Sequence, residues 1–443
     1  MRTHLTIPHT LCNDPACIQC RTPVLPAEDA ESIRETRTVP GTKHRHPVRD
    51  FLQLHFPDYC ALHQVPEWKL KTMRSLMACK TGKLGFTVTQ CPDCGHTEMH
   101  ACACGNRNCP SCGYLKEQQW VEERRHEILP DIPYFHITFT LPHELSQLLY
   151  QNQIETLNLL FRSAKETILD LSRDKLKMVP GILMVLHTSG SNLSLHYHIH
   201  VLVSGGGLTL DKKQFKRCMA NKFFLPAQAV SRLYRGKFLD GLKHLREDGK
   251  LQYFKSAEQY RSHYTWKDLL DTCYGKEWNV QINYLAPVSA DEEGEETADN
   301  AAGYFGRYTN RTAISDSRII RYDEEHIQFQ YKDYHGSSYE VKRMSLSPED
   351  FIHRFLMHIL PPGFTRIRYA GFLASCVRRK NLELIHSLLG SQYHPSTVKG
   401  MSAAQLIHHF YGEDITVCTS CHGNLVFYPR MSQTSAGNLI RDA

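Results

Sequence analysis

The chain has 443 residues, 41% of them hydrophobic and 22% charged, which is apolar enough to fold and long enough for two or three domains. No uninterrupted apolar run approaches the eighteen or so residues of a membrane helix, and Met1-Arg2-Thr3-His4 lacks the basic-then-apolar layout of a secretory signal. A cytoplasmic protein with reduced thiols and no membrane partner is expected. The net charge of +6 is a weak pull on polyanions, but residues 280–306 hold six acids and no Lys or Arg, leaving +12 on the rest.

Residues 1–45 are polar and aperiodic and read as an extension; its Cys12, Cys17 and Cys20 leave half a zinc site or a loose tail equally open. Apolar spacing of three and four predicts two short helices over 48–78, then a charged helix over 115–129 that carries Trp120 and stops at Pro130. The aromatic and β-branched run 134–141, bounded by Pro133 and Pro142, reads as a strand. Helical spacing returns over 143–177, with Leu145, Leu149, Leu157, Leu160, Phe161 and Ile168 as core. Two strands follow at 181–187 and 195–203, joined by the turn-rich 188–192 and ended by Gly205-Gly206-Gly207. Residues 208–285 mix basic helix-like segments with Tyr and Trp, and the acidic loop comes next. A short helix near 300–311, strands at 313–322 and 326–334, and a helical region over 348–409 lead to Cys418-x2-Cys421, with no internal repeat.

Sixteen cysteines in a reducing compartment point to metal. Cys91-x2-Cys94 and Cys109-x2-Cys112 are two knuckles fourteen residues apart, with Cys104 five before the second pair. Each knuckle offers two thiolates to one ion, so the two together predict a closed structural Zn²⁺ site. Cys79, Cys102, Cys104, His96 and His100 are near enough to substitute or to share a second ion, whereas Cys418/Cys421 has no obvious partner pair and leaves a small C-terminal zinc site equally open.

In His196-Tyr197-His198-Ile199-His200 the alternation of a strand puts three imidazoles on one face. An antiparallel hairpin centred near 193 brings His187 opposite them, so His187, His198 and His200 form a candidate site for a catalytic cation, with His196 competing as third ligand. Downstream, Tyr304 and Tyr308 lie at i, i+4 on a helix, each followed three residues later by Arg307 or Arg311. Two glycines there, Gly303 and Gly306, permit close approach of another backbone or of nucleic acid. A cation that polarises a phosphodiester, a phenol that attacks phosphorus and arginines that hold phosphates make one chemistry. No separate base is needed if the cation and arginines lower the phenol's effective pKa.

With the string Pro133-Tyr134-Phe135-His136-Ile137-Thr138-Phe139-Thr140-Leu141-Pro142, these elements resemble the rolling-circle, two-tyrosine insertion-sequence transposases of the HUH endonuclease superfamily. The likeness runs over 46–385 and includes Arg307-Tyr308-Thr309-Asn310-Arg311 and Phe351-Ile352-His353-Arg354-Phe355-Leu356. Asn310 stands where the family commonly has His, and Tyr197 where it has Pro.

The resemblance implies an α+β chain: a zinc-binding, DNA-recognising domain at 46–128, an antiparallel-sheet HUH nuclease domain at 129–345 and a mainly helical region at 346–443 with the last Cys pair. It also implies Mg²⁺ or Mn²⁺ at the histidines and Zn²⁺ at Cys91, Cys94, Cys104, Cys109 and Cys112. The implied reaction cleaves single-stranded DNA through Tyr304 and Tyr308, leaving a 5′-phosphotyrosine and a free 3′-hydroxyl. DNA, mainly single-stranded element ends and target, is the expected partner, nucleoid-associated in a bacterial cytoplasm, with oligomeric state left open. A replication initiator or relaxase shares this chemistry, and a non-catalytic zinc-dependent DNA-binding regulator is the rival of another class.

Overall fold

The computed structural model describes residues 46–443 apart from 130, 219–224, 286–298, 310, 336–337, 434–438 and 442–443. The extension at 1–45, the acidic stretch 291–298 and Asn310 therefore lie outside the described residues. In chain order the elements begin with α1 (Pro47–Leu62), α2 (Glu67–Met77), β1 (Phe86–Gln90), β2 (Thr97–Ala101), α3 (Tyr114–Arg125), β3 (Tyr134–Thr140), α4 (Ser146–Gln151) and α5 (Gln153–Leu171). Next come β4 (Val179–Ser189), β5 (Leu195–Leu208), β6 (Phe215–Arg217), α6 (Ala227–Glu247), α7 (His263–Gly275), β7 (Val280–Leu285) and α8 (Asp299–Thr309). The rest are β8 (Ile319–Tyr322), β9 (Ile327–His335), β10 (Ser338–Leu346), α9 (Pro348–Met357), β11 (Ile367–Gly371), α10 (Arg378–Leu388), α11 (Ala403–Tyr411), β12 (Val426–Gln433) and β13 (Leu439–Arg441).

These elements form two compact units, one of them made, among the described residues, of 46–77 with 189–195 and 312–359. It contains a three-stranded sheet ordered β10-β9-β8 with α1, α2 and α9. Its aromatic core sets Phe51 5.3 Å from Phe351 and 5.9 Å from Tyr322, ring centre to ring centre. The turn between β4 and β5 belongs here. Buried Leu193 holds it in a left-handed conformation at φ +62°, which costs a β-carbon residue about 1–2 kcal/mol unless its surroundings impose it. Two residues of α9 and its C-cap supply that constraint: Arg354 donates to the Asn192 carbonyl at 3.1 Å, and His358 Nε2–H to the Leu193 carbonyl at 3.1 Å. Arg354, from the 351–356 string, and His358 thus brace this turn.

The second unit holds a six-stranded sheet ordered β11-β4-β5-β3-β7, with β6 paired to β5. On one face of this sheet lie Tyr197, Ile199, Val201 and Phe139, all but dry. Gln153, which opens α5, donates to the Tyr197 hydroxyl at 3.3 Å, and Tyr234 of α6 sits 4.8 Å from Phe139. Each large apolar side chain buried in this way contributes about 1.5–3 kcal/mol. The opposite face packs Tyr134, Leu183, Val185 and Leu202 against Ala301 and Phe305 of α8 and Leu382 and Ile385 of α10.

β5 does not end at its glycines as expected but runs through them to Leu208. A Cβ at Gly207 would sit 2.5 Å from the Val179 carbonyl oxygen and one at Gly205 2.7 Å from that of Pro133, so the glycines mark where neighbouring backbones close in. β11 lies within a stretch read as helical; it has five residues, too few for period-two alternation to stand out, and it takes its place by pairing with β4. A second hairpin sheet, β13-β12-β1-β2, completes this unit. No helix among the described residues is long and apolar enough to cross a membrane.

Candidate functional site

β4 delivers His187, and β5 delivers His198 and His200, to the α8 face of the central sheet, each offering a ring nitrogen within 4.8 Å of the others. Pairing is set by the turn, where Gly190 N–H donates to the Ser194 carbonyl at 2.9 Å. His196 is exposed and stays outside this group, its ring 4.8 Å from that of His198.

The other nitrogen of each ring is already engaged. His187 Nε2–H donates to the Tyr308 carbonyl at 2.7 Å, and His198 Nδ1–H to the His196 carbonyl at 2.8 Å. A carbonyl only accepts, so these bonds fix the tautomers and leave lone pairs on His187 Nδ1 and His198 Nε2. His200 Nδ1 lies 2.8 Å from His136 Nε2 and 3.3 Å from Thr138 Oγ1, and its Nε2 stays outside these contacts. His136, on β3, was not singled out as a site residue; its place on the strand face shared with His200 is the signal that could have found it.

Burial pushes His187 down to about 3 and His136 down to about 4, and it holds His198 and His200 well below the ordinary imidazole value. The charge of Arg311 adds to the effect at the three candidate ligands. Neutral imidazoles with assigned lone pairs are what a divalent cation binds, so the set fits one. Because these pKa values are depressed on folding, the unfolded chain takes up protons first below about 6.5. Metal-free protein is expected to lose stability as pH falls from about 6.5 towards 4, and denaturant titrations of wild type and His136→Gln should show a shallower loss in the variant.

Tyr308 reaches the same place from α8. Its ring centre is 4.2 Å from that of His200, 5.2 Å from His136 and 5.7 Å from His187. Tyr304 lies one turn earlier on the same helix face, though its side chain and that of Arg307 are outside the described residues. Arg311 follows the helix and is exposed. Gly306 is approached by a side chain: a Cβ there would meet Val121 Cγ2 of α3 at 2.2 Å.

Sequence reasoning also passed over Arg366. Its Nη2–H donates to the Thr309 carbonyl at 2.7 Å and its Nη1–H to the Arg311 carbonyl at 3.2 Å, satisfying carbonyls at and just beyond the α8 C-terminus. Its own carbonyl accepts from Leu186 N–H at 3.0 Å, next to His187. Burial lowers its pKa to about 10, so it stays charged at neutral pH. Arg366→Ala leaves the Thr309 and Arg311 carbonyls without this donor and is expected to destabilise the protein by about 1–3 kcal/mol, measured by denaturant titration.

Among the described residues eight cysteines form two groups, Cys79/Cys104/Cys109/Cys112 and Cys91/Cys94/Cys418/Cys421. This corrects the expectation that the two nearer knuckles share one ion. β1 pairs with β12, so the partner of the Cys91/Cys94 knuckle comes from the far end of the chain, and Cys79 and Cys104 complete the Cys109/Cys112 set. Sγ separations within the sets include 3.4 Å for Cys91 and Cys421, 3.7 Å for Cys94 and Cys418, and 3.6 Å for Cys104 and Cys112. A zinc tetrahedron with bonds of about 2.3 Å has edges of about 3.8 Å, so both sets fit the ion, whereas a disulfide would need about 2.05 Å. Cys102 meets Thr87, and His96 and His100 turn to Glu98 instead.

Two family models match, one described as "Putative transposase" over residues 181–381 and one as "Transposase zinc-binding domain" over 51–141. "Putative transposase y4qJ" of Sinorhizobium fredii is 35% identical over 381 residues, covering 85% of this chain and 92% of that protein. The chain belongs to the two-tyrosine, rolling-circle insertion-sequence transposases. "Transposase for insertion sequence element IS801" of Pseudomonas savastanoi pv. phaseolicola is 28% identical over 404 residues, or 89% and 93% of the two chains. No solved structure matches the transposase significantly. Its histidine triplet, Tyr308 and Arg366 all fall inside the 181–381 match, and its Cys79/Cys104/Cys109/Cys112 set falls inside the zinc-binding match, which makes Zn²⁺ a structural component. Cys418 and Cys421 lie beyond both.

Proposed function

We propose that this transposase nicks and rejoins single-stranded DNA through a tyrosine–5′-phosphate intermediate, with Tyr304 and Tyr308 as nucleophiles. The observation that carries the reading is the closeness of the Tyr308 ring to three neutral histidines, two of them with tautomers fixed by carbonyls. His187, His198 and His200 would hold the cation. A set of three imidazoles with no carboxylate favours Mn²⁺ over the oxygen-seeking Mg²⁺. The bound cation supplies Lewis-acid polarisation of the scissile phosphate.

The phenol oxygen attacks phosphorus, the P–O3′ bond breaks, and the phenol's proton is balanced by the one the leaving 3′-oxygen takes up. The reverse attack by a 3′-hydroxyl restores the phosphodiester and the phenol, so no energy source is needed for rejoining. Arg311, and Arg307 one turn before it, carry charge for DNA phosphates. Two nucleophiles let one tyrosine hold a strand while the other cleaves. Residues 46–128 are proposed to recognise DNA, residues 129–345 to carry the chemistry, and residues 346–443 to support both.

Incubation with labelled single-stranded oligonucleotides from the element's ends and Mn²⁺, followed by denaturing electrophoresis, is expected to give a covalent protein–DNA band that chelator abolishes. Tight binding with no covalent band under any cation would instead indicate a DNA-binding regulator.

A further inference from the structure

The Cys91/Cys94 and Cys418/Cys421 knuckles are built alike. In the first, Gly95 N–H donates to the Cys91 carbonyl at 2.9 Å and Cys91 N–H to that of His96 at 2.8 Å; in the second, His422 N–H donates to Cys418 at 3.0 Å and Cys418 N–H to Gly423 at 2.8 Å. Both turns use a left-handed residue after the second cysteine, Gly95 at φ +74° and His422 at φ +61°. Each knuckle caps a hairpin, β1–β2 for the first and the bridge between Val417 and Asn424 for the second. β12 continues from the second hairpin to pair antiparallel with β1, Gln90 opposite Val426 and Val88 opposite Tyr428. Glu98 links the two, accepting from His96 Nε2 at 3.0 Å and from Thr419 Oγ1 at 3.3 Å. At Gly423 a Cβ would lie 2.1 Å from Asp93 Oδ2, so the second knuckle approaches the first there.

This sheet has little core of its own. Met99, Val426, Phe427 and Tyr428 are 44%, 44%, 38% and 41% exposed, far from the burial that would hold four short strands together. Some other bond must hold the C-terminal hairpin in place.

We propose that the transposase carries a second structural Zn²⁺, held by Cys91 and Cys94 from one hairpin and Cys418 and Cys421 from the other, in a ribbon whose halves are brought together from distant parts of the chain. Four thiolates leave no open coordination position, so the ion closes structure and does no chemistry. It clips a loop that separates Cys94 from Cys418 by 324 positions, the case in which a cross-link restricts the unfolded chain most. Half of the ligand set lies outside the matched zinc-binding stretch, so that stretch alone cannot complete the ribbon.

The test uses the full-length protein, dialysed free of loose metal and assayed for zinc by mass spectrometry. Wild type is expected to hold two ions per chain and Cys418→Ser/Cys421→Ser one; Cys109→Ser/Cys112→Ser is also expected to hold one, from the other site. In parallel, unmutated protein is alkylated with and without chelator and read peptide by peptide. Exposed Cys421 should be protected until zinc is removed and then modified at least tenfold faster, a result that stands even if the variants fold poorly. Equal alkylation of Cys418 and Cys421 with and without chelator, or full zinc content in Cys418→Ser/Cys421→Ser, would overturn the proposal.

Discussion

His200→Ala is expected to slow Mn²⁺-dependent cleavage of element-end oligonucleotides by about 10²- to 10³-fold at saturating DNA. The figure follows from a cation contributing several kcal/mol to the transition state, with each ~1.4 kcal/mol worth a factor of ten. Loss of one of three nitrogens should also raise the Mn²⁺ concentration needed for half-maximal rate. His136→Gln separates ligand from support: it leaves all three candidate ligands in place but alters the partner 2.8 Å from His200 Nδ1, and a 10- to 100-fold loss of apparent Mn²⁺ affinity is expected. Rates measured across a Mn²⁺ series for the three proteins distinguish these outcomes. If His200→Ala cleaved at the wild-type rate, the histidine triplet would be a packing feature.

Tyr308→Phe removes one hydroxyl and little volume, so stability should change by no more than about 0.5 kcal/mol. Formation of the covalent species is nevertheless expected to fall by about 10³-fold or more wherever Tyr308 attacks first. Any residual adduct should come from Tyr304, and the double Phe variant should form none. Because both phenols serve one reaction, the single losses should not add. DNA binding, which rests on phosphate contacts, should survive in all three variants and weaken steeply with salt.

How far the sequence could be read depended on how local each signal was. The histidine hairpin was legible because strand alternation and a short turn fix His187, His198 and His200 relative to one another within fourteen residues. The tyrosine helix was legible from its four-residue spacing. What stayed hidden depends on pairings between distant segments. Arg366 reaches the end of α8 only because β11 pairs with β4, and β11 is a five-residue strand inside a stretch with helical spacing on either side. His136 counts only once β3 lies beside β5. The cysteine groups show the same limit: nearness in sequence paired the two closest knuckles, whereas the β1–β12 ladder pairs the first with the last.

The tyrosine helix and the three histidines are expected to make a single cleavage site. The most direct measurement is mass spectrometry of the covalent product after nuclease and protease digestion, with Mn²⁺ and with chelator, for wild type and His200→Ala. The expected product is a nucleotide attached to the phenol oxygen of Tyr308 or Tyr304, formed with Mn²⁺, absent with chelator and sharply reduced in His200→Ala. A nucleotide attached to any other residue, or the same tyrosine adduct formed equally well by His200→Ala and in chelator, would contradict it.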